Sequence, residues 1–434
     1  MNIFIFRRDL RIFDNTSLNR LIQDAGQEDI ALIFIYNKNQ ISPSNPYFSD
    51  KAFSFMNQAL QNLNQQAHIN MYESDEDVKV LQEIIKNNDI KRIYTNQDIT
   101  QYAIDRDKKI KEFCQSKNII FKSYNDYLLF NPEQFKTGAN QPYKVFKPFY
   151  LKCLENIEKI HVNEFKTNQD FKVLKKNIFS SKIKPITFDI KVPATEQEVK
   201  KAIESMKNYN QTRNFLTDHA TSKISASLKF GIISLRNAFK YSARLFGSNS
   251  GFIRQIFWKE FYHHHYVNNI NWYKIRGKWP ANIVKSYDKW KYENNQEYLE
   301  KWKTGTTGID LIDAAMHELN STGYMHNRMR MVVSAFLTKD LNIDWRLGER
   351  YFAQKLIDYD PIVNNQSWQW SAGCGLDFRG AWRVFAPEIQ AQKFDKNNEY
   401  VKKHLGNRQK LKPIVDPKQT RLEFRKKYSE FKSN

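Results

Sequence analysis

Short apolar runs alternate with longer amphipathic stretches over the first third of the chain. NIFIF at 2–6, IALIFIY at 30–36, RIYTN at 92–96 and NIIFKSY at 118–124 are rich in β-branched and aromatic residues and have strand length. Between them, residues 51–65, 76–87 and 101–117 repeat their apolar positions with helical spacing. That alternation predicts βαβ units on a parallel sheet over residues 1–128. From about 131 the periodicity fades into Pro, Lys and Asn, so 129–195 reads as an interdomain connector, longer than an ordinary loop and draped over the surface. Beyond 196 strand signals nearly vanish and helical patterns run to about 405, so 196–434 is expected to be all-α. The last thirty residues are basic and polar, and internal repeats are not evident.

Composition adds a partner class. Lys plus Arg number 68 against 47 Asp plus Glu, a formal charge of +21, which draws a protein toward polyanions, nucleic acid above all. Three scattered cysteines, Cys114, Cys153 and Cys374, fit a reducing compartment and argue against a disulfide framework or zinc ribbon. No signal-like segment precedes the first strand and no apolar run approaches membrane-spanning length, so a cytosolic or nuclear location is expected. His263, His264 and His265 project in different directions on a helix without partners at ligand spacing, and read as a solvated or DNA-facing basic face. GCGLDFRG at 373–380 lacks dinucleotide-fingerprint spacing and reads as a turn.

The densest chemistry lies in residues 325–370. On a helix, Asn327, Arg328 and Met331 share a face, and Arg330 can reach back toward Asn327. Asp358, Asp360, Asn364 and Asn365 follow, then Trp368 and Trp370. Such a set offers cations, carboxylates and amides to a polar ring system, and flat faces to something that stacks. Earlier in the chain, the hydroxyls of Thr221, Ser222 and Ser225 precede a helical run, a pattern suited to phosphate.

These blocks resemble the DNA photolyase and cryptochrome family. The opening NIFIFRRDLRIFDN at 2–15 is similar to the family's first strand and RxDLRxxDN loop. TSKISASLKFGIIS at 221–234, FIRQIFWKEFYHH at 252–264, WKTGTTGIDLIDAAM at 302–316 and RVFAPEIQAQKFD at 383–395 follow in the family's order. The resemblance implies a Rossmann-like α/β antenna-type domain followed by a helical domain that binds FAD and DNA. It implies that Tyr209, Thr221, Ser222, Lys223, Ile224, Ser225 and Asn327 lie at the cofactor, Arg330 paired with Asp358 beside the flavin. Asp360 would then bond the ring's polar edge, and Asn364 would face N5, where an amide can accept from a protonated nitrogen. Implied for the lesion site are Trp258 and Trp370 as an apolar wall for a flipped dinucleotide, Asn327, Arg328 and Met331 as its lining, and Arg213 as a DNA contact. The implied partner is UV-damaged DNA, met by a monomer without membrane.

Four departures refine the expectation. Asn327 stands where (6-4) photolyases carry a histidine beside His326, which favours cyclobutane-dimer repair; Gln255 stands where dimer enzymes usually carry glutamate, which points the other way. The missing imidazole weighs more, because an amide keeps the acceptor that a carboxylate provides. In the family's photoreduction path, Trp368 and Trp345 match the first two aromatics, while Tyr292 takes the third place with Trp290 two residues earlier. Ala103 sits about where folate-binding members carry a carboxylate, so the antenna could be a deazaflavin, a second flavin, or absent. Ala386 replaces a usual Asn in RVFAP. The expected activity is light-driven splitting of cyclobutane pyrimidine dimers by electron transfer from reduced FAD. The alternatives are a cryptochrome photoreceptor, against which the short C-terminus speaks, and a (6-4) photolyase.

Overall fold

The protein is described from a computed structural model that covers residues 1–162, 172–174, 191–217, 219–269, 282–377 and 384–433. Much of the expected connector, the close of GCGLDFRG and the Arg383 that opens RVFAP lie outside these residues.

Five parallel strands, β1 (Asn2–Phe6), β2 (Ile30–Asn37), β3 (Ile69–Ser74), β4 (Arg92–Asn96) and β5 (Ile120–Tyr124), pair in the order β3-β2-β1-β4-β5. β1 is central, with Phe4 opposite both Leu32 and Tyr94, and every residue of β1 is buried, as a strand covered on both faces requires. Chain order reverses direction between β1 and β4. The mouth of the sheet there is the switch point at which open α/β sheets receive ligands. The helices Thr16–Ala25, Asp50–Gln66, Asp77–Lys86 and Gln101–Ser116 complete the layers. Asn15 and Ser49 cap the first two by accepting from Leu18 N and Ala52 N, at 3.2 and 3.3 Å.

Two compact units divide the chain, and their segments interleave. The first takes Met1–Phe135, Lys152–Glu204 and Lys223–Glu260; the second takes Lys136–Leu151, Ser205–Ser222 and Phe261–Asn434. Within the first, the RRDLRIFDN loop is joined to residues 230–236. Leu10 N donates to Phe230 O at 2.9 Å and Arg11 Nη1 to Gly231 O at 3.1 Å. Gly231 has φ +67°, and a Cβ there would stand 2.4 Å from Arg8 O, so the close approach requires glycine. Arg236 Nη2 pairs with Asp14 at 3.1 Å and Asp126 at 2.8 Å, Arg11 also pairs with Asp126, and Ser234 donates to Asp14. Burial works against charge on Asp126, but the two guanidiniums hold its carboxyl well below the usual range.

Residues 146–154 of the expected connector form the helix Phe146–Leu154, whose Phe146, Phe149, Tyr150 and Cys153 are buried. That stretch is packed rather than draped, because four apolar residues at helical spacing bury together. The second unit is helical around a core that includes Trp302, Met316, Phe336, Trp345, Phe352 and Trp368. The basic last thirty residues include the helix Pro417–Ser433, which buries Phe424 and Tyr428 in that core. No described helix is long and apolar enough to cross a membrane.

Candidate active site

The helix Asn327–Ala335 starts at His326, whose Nδ1 accepts from Arg328 N at 3.1 Å. Arg330 does not reach toward Asn327. Its guanidinium donates to Met325 O at 2.8 Å and makes a two-point pair with Asp358 at 3.1 and 2.9 Å. Burial alone would lower this guanidinium's pKa, but Asp358 more than offsets that and raises it. Tyr324 lies under the cation, 5.7 Å from ring centre to Arg330 Cζ, and its hydroxyl meets Thr221 Oγ1 at 3.0 Å. Thr221, Tyr324, Arg330 and Asp358 thus form one connected row.

Asp360 caps the helix Pro361–Ala372, its Oδ1 accepting from Ile362 N at 2.9 Å and Val363 N at 3.0 Å. Its Oδ2 lies 3.5 Å from His263 Nε2. One turn on, Asn364 Nδ2 donates to Glu349 Oε1 at 3.1 Å, and Tyr359 Oη donates to the same oxygen at 3.1 Å. Burial pushes the Glu349 carboxyl up to about 7, with Asn364 and Tyr359 pulling against it. The Asn364 carbonyl oxygen has no hydrogen-bond partner among the described residues. A buried amide is therefore held by its nitrogen and presents its acceptor elsewhere.

The expected lesion residues of this unit sit nearer solvent. Asn327 is exposed, with Nδ2 3.9 Å from Met331 Sδ, which confirms their shared face. Arg328 is held by Gln390 Oε1 at 2.9 Å and Asn214 Oδ1 at 2.6 Å, and lies 3.8 Å over the Phe394 ring. Tyr209 opens the short helix Tyr209–Thr212 and Arg213 caps its end, both half-buried; burial raises the Tyr209 hydroxyl while Arg213 lowers it. Trp370 is half-buried, its ring 6.1 Å from that of Phe385. Ala386 occupies the cap position of the helix Pro387–Phe394 and supplies no side-chain cap, which an Asn would.

In the first unit, Lys223 adopts φ +53°, Ile224 is buried and Ser225 is exposed at the head of the helix Ser225–Lys229. On the helix Gly251–Asn268, Gln255 and Trp258 are three residues apart, on one face and half-buried. Gln255 Nε2 returns to Gly251 O at 3.2 Å. At the sheet's switch point a small cleft is lined by Arg7, Arg8, Asp9, Asn96, Gln97, Asp98, Asp126 and Tyr127. Arg8 pairs with Asp98 at 2.9 Å there and stacks 4.6 Å over Tyr127. Ala103 is buried in the helix Gln101–Ser116.

The three histidines do not form a solvated face: His263, His264 and His265 are all buried, and burial pushes His265 down to about 4. Every residue of their helix from 260 to 266 is buried, whereas its less buried stripe runs earlier, through Arg254, Gln255, Trp258 and Lys259. Among the described residues, no cluster of His, Cys, Asp and Glu could hold a metal.

Trp368 and Trp345 are buried, and Trp345 Nε1 donates to Asn282 Oδ1 at 2.9 Å. Burial raises the Tyr292 hydroxyl well above its ordinary value, and it has no hydrogen-bond partner among the described residues. Trp290 donates to Asn342 Oδ1 at 3.1 Å and is packed by Phe424 and Phe431. Sequence reasoning missed Glu349 and Tyr324. Glu349 sits inside a helical run and reads as surface charge there; only its fifteen-residue offset from Asn364, closed by folding, gives it a role.

Residues 2–169 match the family described as DNA photolyase, and residues 252–430 match the FAD binding domain of DNA photolyase. The deoxyribodipyrimidine photo-lyase of Buchnera aphidicola subsp. Acyrthosiphon pisum is 33% identical over 93% of this chain and 87% of its own length. A Sulfolobus tokodaii archaeal photolyase, solved with two FAD molecules, is 31% identical, covers 99% of this chain and 100% of its own, and superposes with a TM-score of 0.83. Synechocystis cryptochrome, at 24% identity and a TM-score of 0.85 over 98% of each chain, shares the fold.

Proposed function

The chain belongs to the DNA photolyase family, and from that premise we propose that it is a light-dependent DNA-repair lyase that binds FAD and splits cyclobutane pyrimidine dimers in UV-damaged DNA. The observation that carries the reading is Asn364, whose nitrogen is fixed by Glu349 and whose carbonyl oxygen is left to accept from a ligand. FAD, bound and reduced, would supply light absorption and the electron that opens the dimer's ring. The residues present fit such a group. Thr221, Ser222, Lys223, Ile224 and Ser225, with Tyr209, would hold its diphosphate side; the Arg330–Asp358 pair and Asp360 would hold the polar edge of the ring; the Asn364 side-chain oxygen would accept a hydrogen bond from a protonated ring nitrogen. Asn327 borders both cofactor and lesion in this assignment.

On the substrate side we assign stacking faces to Trp258 and Trp370, worth roughly 1–3 kcal/mol per base. Gln255, Arg328 and Met331 would line the lesion, and Arg213 would contact the DNA of a complex with one protein chain. A flipped dinucleotide leaves a damaged stack at lower cost than an intact one, so lesion selectivity begins with the DNA itself. Trp368, Trp345 and Tyr292 would re-reduce the cofactor. The cleft at the sheet's switch point sets Arg7 and Arg8 against Asp9, Asp98 and Asp126, with Tyr127 beside them, so its lining is mixed in charge rather than cationic.

The test is light-dependent repair by reduced, flavin-loaded protein of two oligonucleotides, one with a cyclobutane thymine dimer and one with a (6-4) photoproduct, with dark controls. Repair of the first alone supports the proposal. Repair of the second alone would make Gln255 the better guide than Asn327, and repair of neither by a photoreducible protein would favour a photoreceptor.

A further inference from the structure

We propose that Glu318 tunes the reduction potential of the bound flavin through Arg330, as a second carboxylate coupled to that guanidinium; the inference rests on the flavin reading above. Glu318 lies on the helix Asp310–Thr322 and is buried. Its Oε2 accepts from His326 N at 3.3 Å, and the carbonyl of the same peptide unit, Met325 O, accepts from Arg330 Nε at 2.8 Å. One peptide therefore stands between carboxylate and guanidinium, with its N–H toward the anion and its C=O toward the cation. Both charges polarise it in the same sense, and each bond strengthens the other.

The surroundings favour the charged form of Glu318. Tyr400, buried on the helix Glu399–Leu405, donates its hydroxyl to the same Oε2 at 2.7 Å, so one carboxylate oxygen receives two donors. Burial raises the Tyr400 hydroxyl well above its ordinary value and Glu318 raises it further, as an anion beside a phenol does. The same charge is felt at the flavin row. Burial works to lower the Arg330 guanidinium, Asp358 more than offsets that, and Glu318 adds to the rise. Burial also raises the hydroxyl of Tyr324, whose ring lies under Arg330; Thr221 and Arg330 oppose that rise and Glu318 adds to it. Arg330, Asp358 and Glu318 together carry one negative charge.

A flavin reduced at pH 8 takes up two electrons and one proton, so its ring gains one negative charge. Arg330 by itself would favour that form, whereas Asp358 opposes it as a direct partner and Glu318 opposes it through the peptide. Glu318 meets Arg330 only by way of the backbone, so it is a positioning residue and not a catalytic one. Its charge lowers the potential, and a lower potential makes the excited, reduced flavin a stronger electron donor to a lesion.

The experiment is a reductive titration of flavin-loaded protein at pH 8 against dyes of known potential. Glu318→Gln, which removes the charge and keeps the shape, should raise the potential by a tenfold gain in affinity for reduced over oxidised flavin, about 30 mV for two electrons. Glu318→Asp keeps the charge and should stay nearer the parent than Glu318→Gln does. Tyr400→Phe takes a donor from the carboxylate and leaves its charge less screened, so the potential should hold or fall. A merely structural role would move Glu318→Gln and Tyr400→Phe in the same direction, and a rise with Tyr400→Phe overturns the proposal even if Glu318→Gln fails to load flavin. Asp358→Asn separates the two readings. If it raises the potential and Glu318→Gln does not, the role of Glu318 is overturned and the flavin reading stands; if neither variant moves the potential, the flavin does not lie at this row and both fall.

Discussion

Glu349 is buried beside Asn364 with its carboxyl pushed up to about 7, while an unfolded glutamate titrates near 4.5. A group whose pKa rises on folding stabilises below its unfolded value and loses that contribution as pH climbs through the folded one. Asp340, buried against Thr420 and also raised to about 7, adds to the same slope. Melting temperature should therefore fall between about pH 4 and 7. Glu349→Gln, which has no proton to lose there, should fall less steeply, and equal slopes would show that Glu349 stays charged. Trp368→Phe should lose photoreduction yet keep repair when the flavin is reduced chemically; repair assays on dithionite-reduced protein check this. At this scale the sequence named the residues that carry distinctive chemistry, because Arg330, Asp358 and Asn364 stand in a recognisable order. It could not name Glu349, whose role comes from a contact between two helices; helix spacing pointed Arg330 toward Asn327, whereas the family resemblance paired it with Asp358, which lies outside that helix and is the partner it has.

The helix Trp345–Lys355 owes its fit to Gly348, where an added Cβ would stand 2.3 Å from Trp368 Cη2 and 2.5 Å from Leu337 Cδ2. Gly348→Ala should cost about 1–3 kcal/mol and shift tryptophan fluorescence, both read from denaturant melts. The C-terminal helix Pro417–Ser433 is held by Phe424, which packs on Trp290 with ring centroids 5.5 Å apart. Phe424→Ala should cost about 3 kcal/mol or more and expose Trp290 to quenchers; unchanged quenching would mean the helix does not shield it. Strands with continuous apolar runs were legible, whereas β3 was not, since Asn70 and Glu73 interrupt INMYES. The π-helical turn Phe336–Asp340 continues the helix Asn327–Ala335, and a 3.6-residue pattern has no means of announcing it.

For the whole molecule, the charge of +21 implies that attraction to lesion-free duplex is mainly ionic. Its affinity should fall by roughly a thousandfold between about 50 and 200 mM salt if six or more phosphates are contacted, as fluorescence titration would measure. An affinity flat in salt would mean the excess lysines only solvate the surface. The division into an α/β and a helical half was legible from periodicity, but not that residues 223–260 cluster with the first 135, because periodicity carries no information about distant partners. That clustering is made by Arg236, which reaches back 222 positions to Asp14. A ribosome delivers these residues in order, so the sheet strands, Asp14 and Asp126 all emerge long before the guanidinium and the Ser234 hydroxyl that complete their surroundings. The loop after β1 is thus synthesised long before its partners, and a nascent chain halted ahead of residue 230 would leave that loop open to proteases and chaperones.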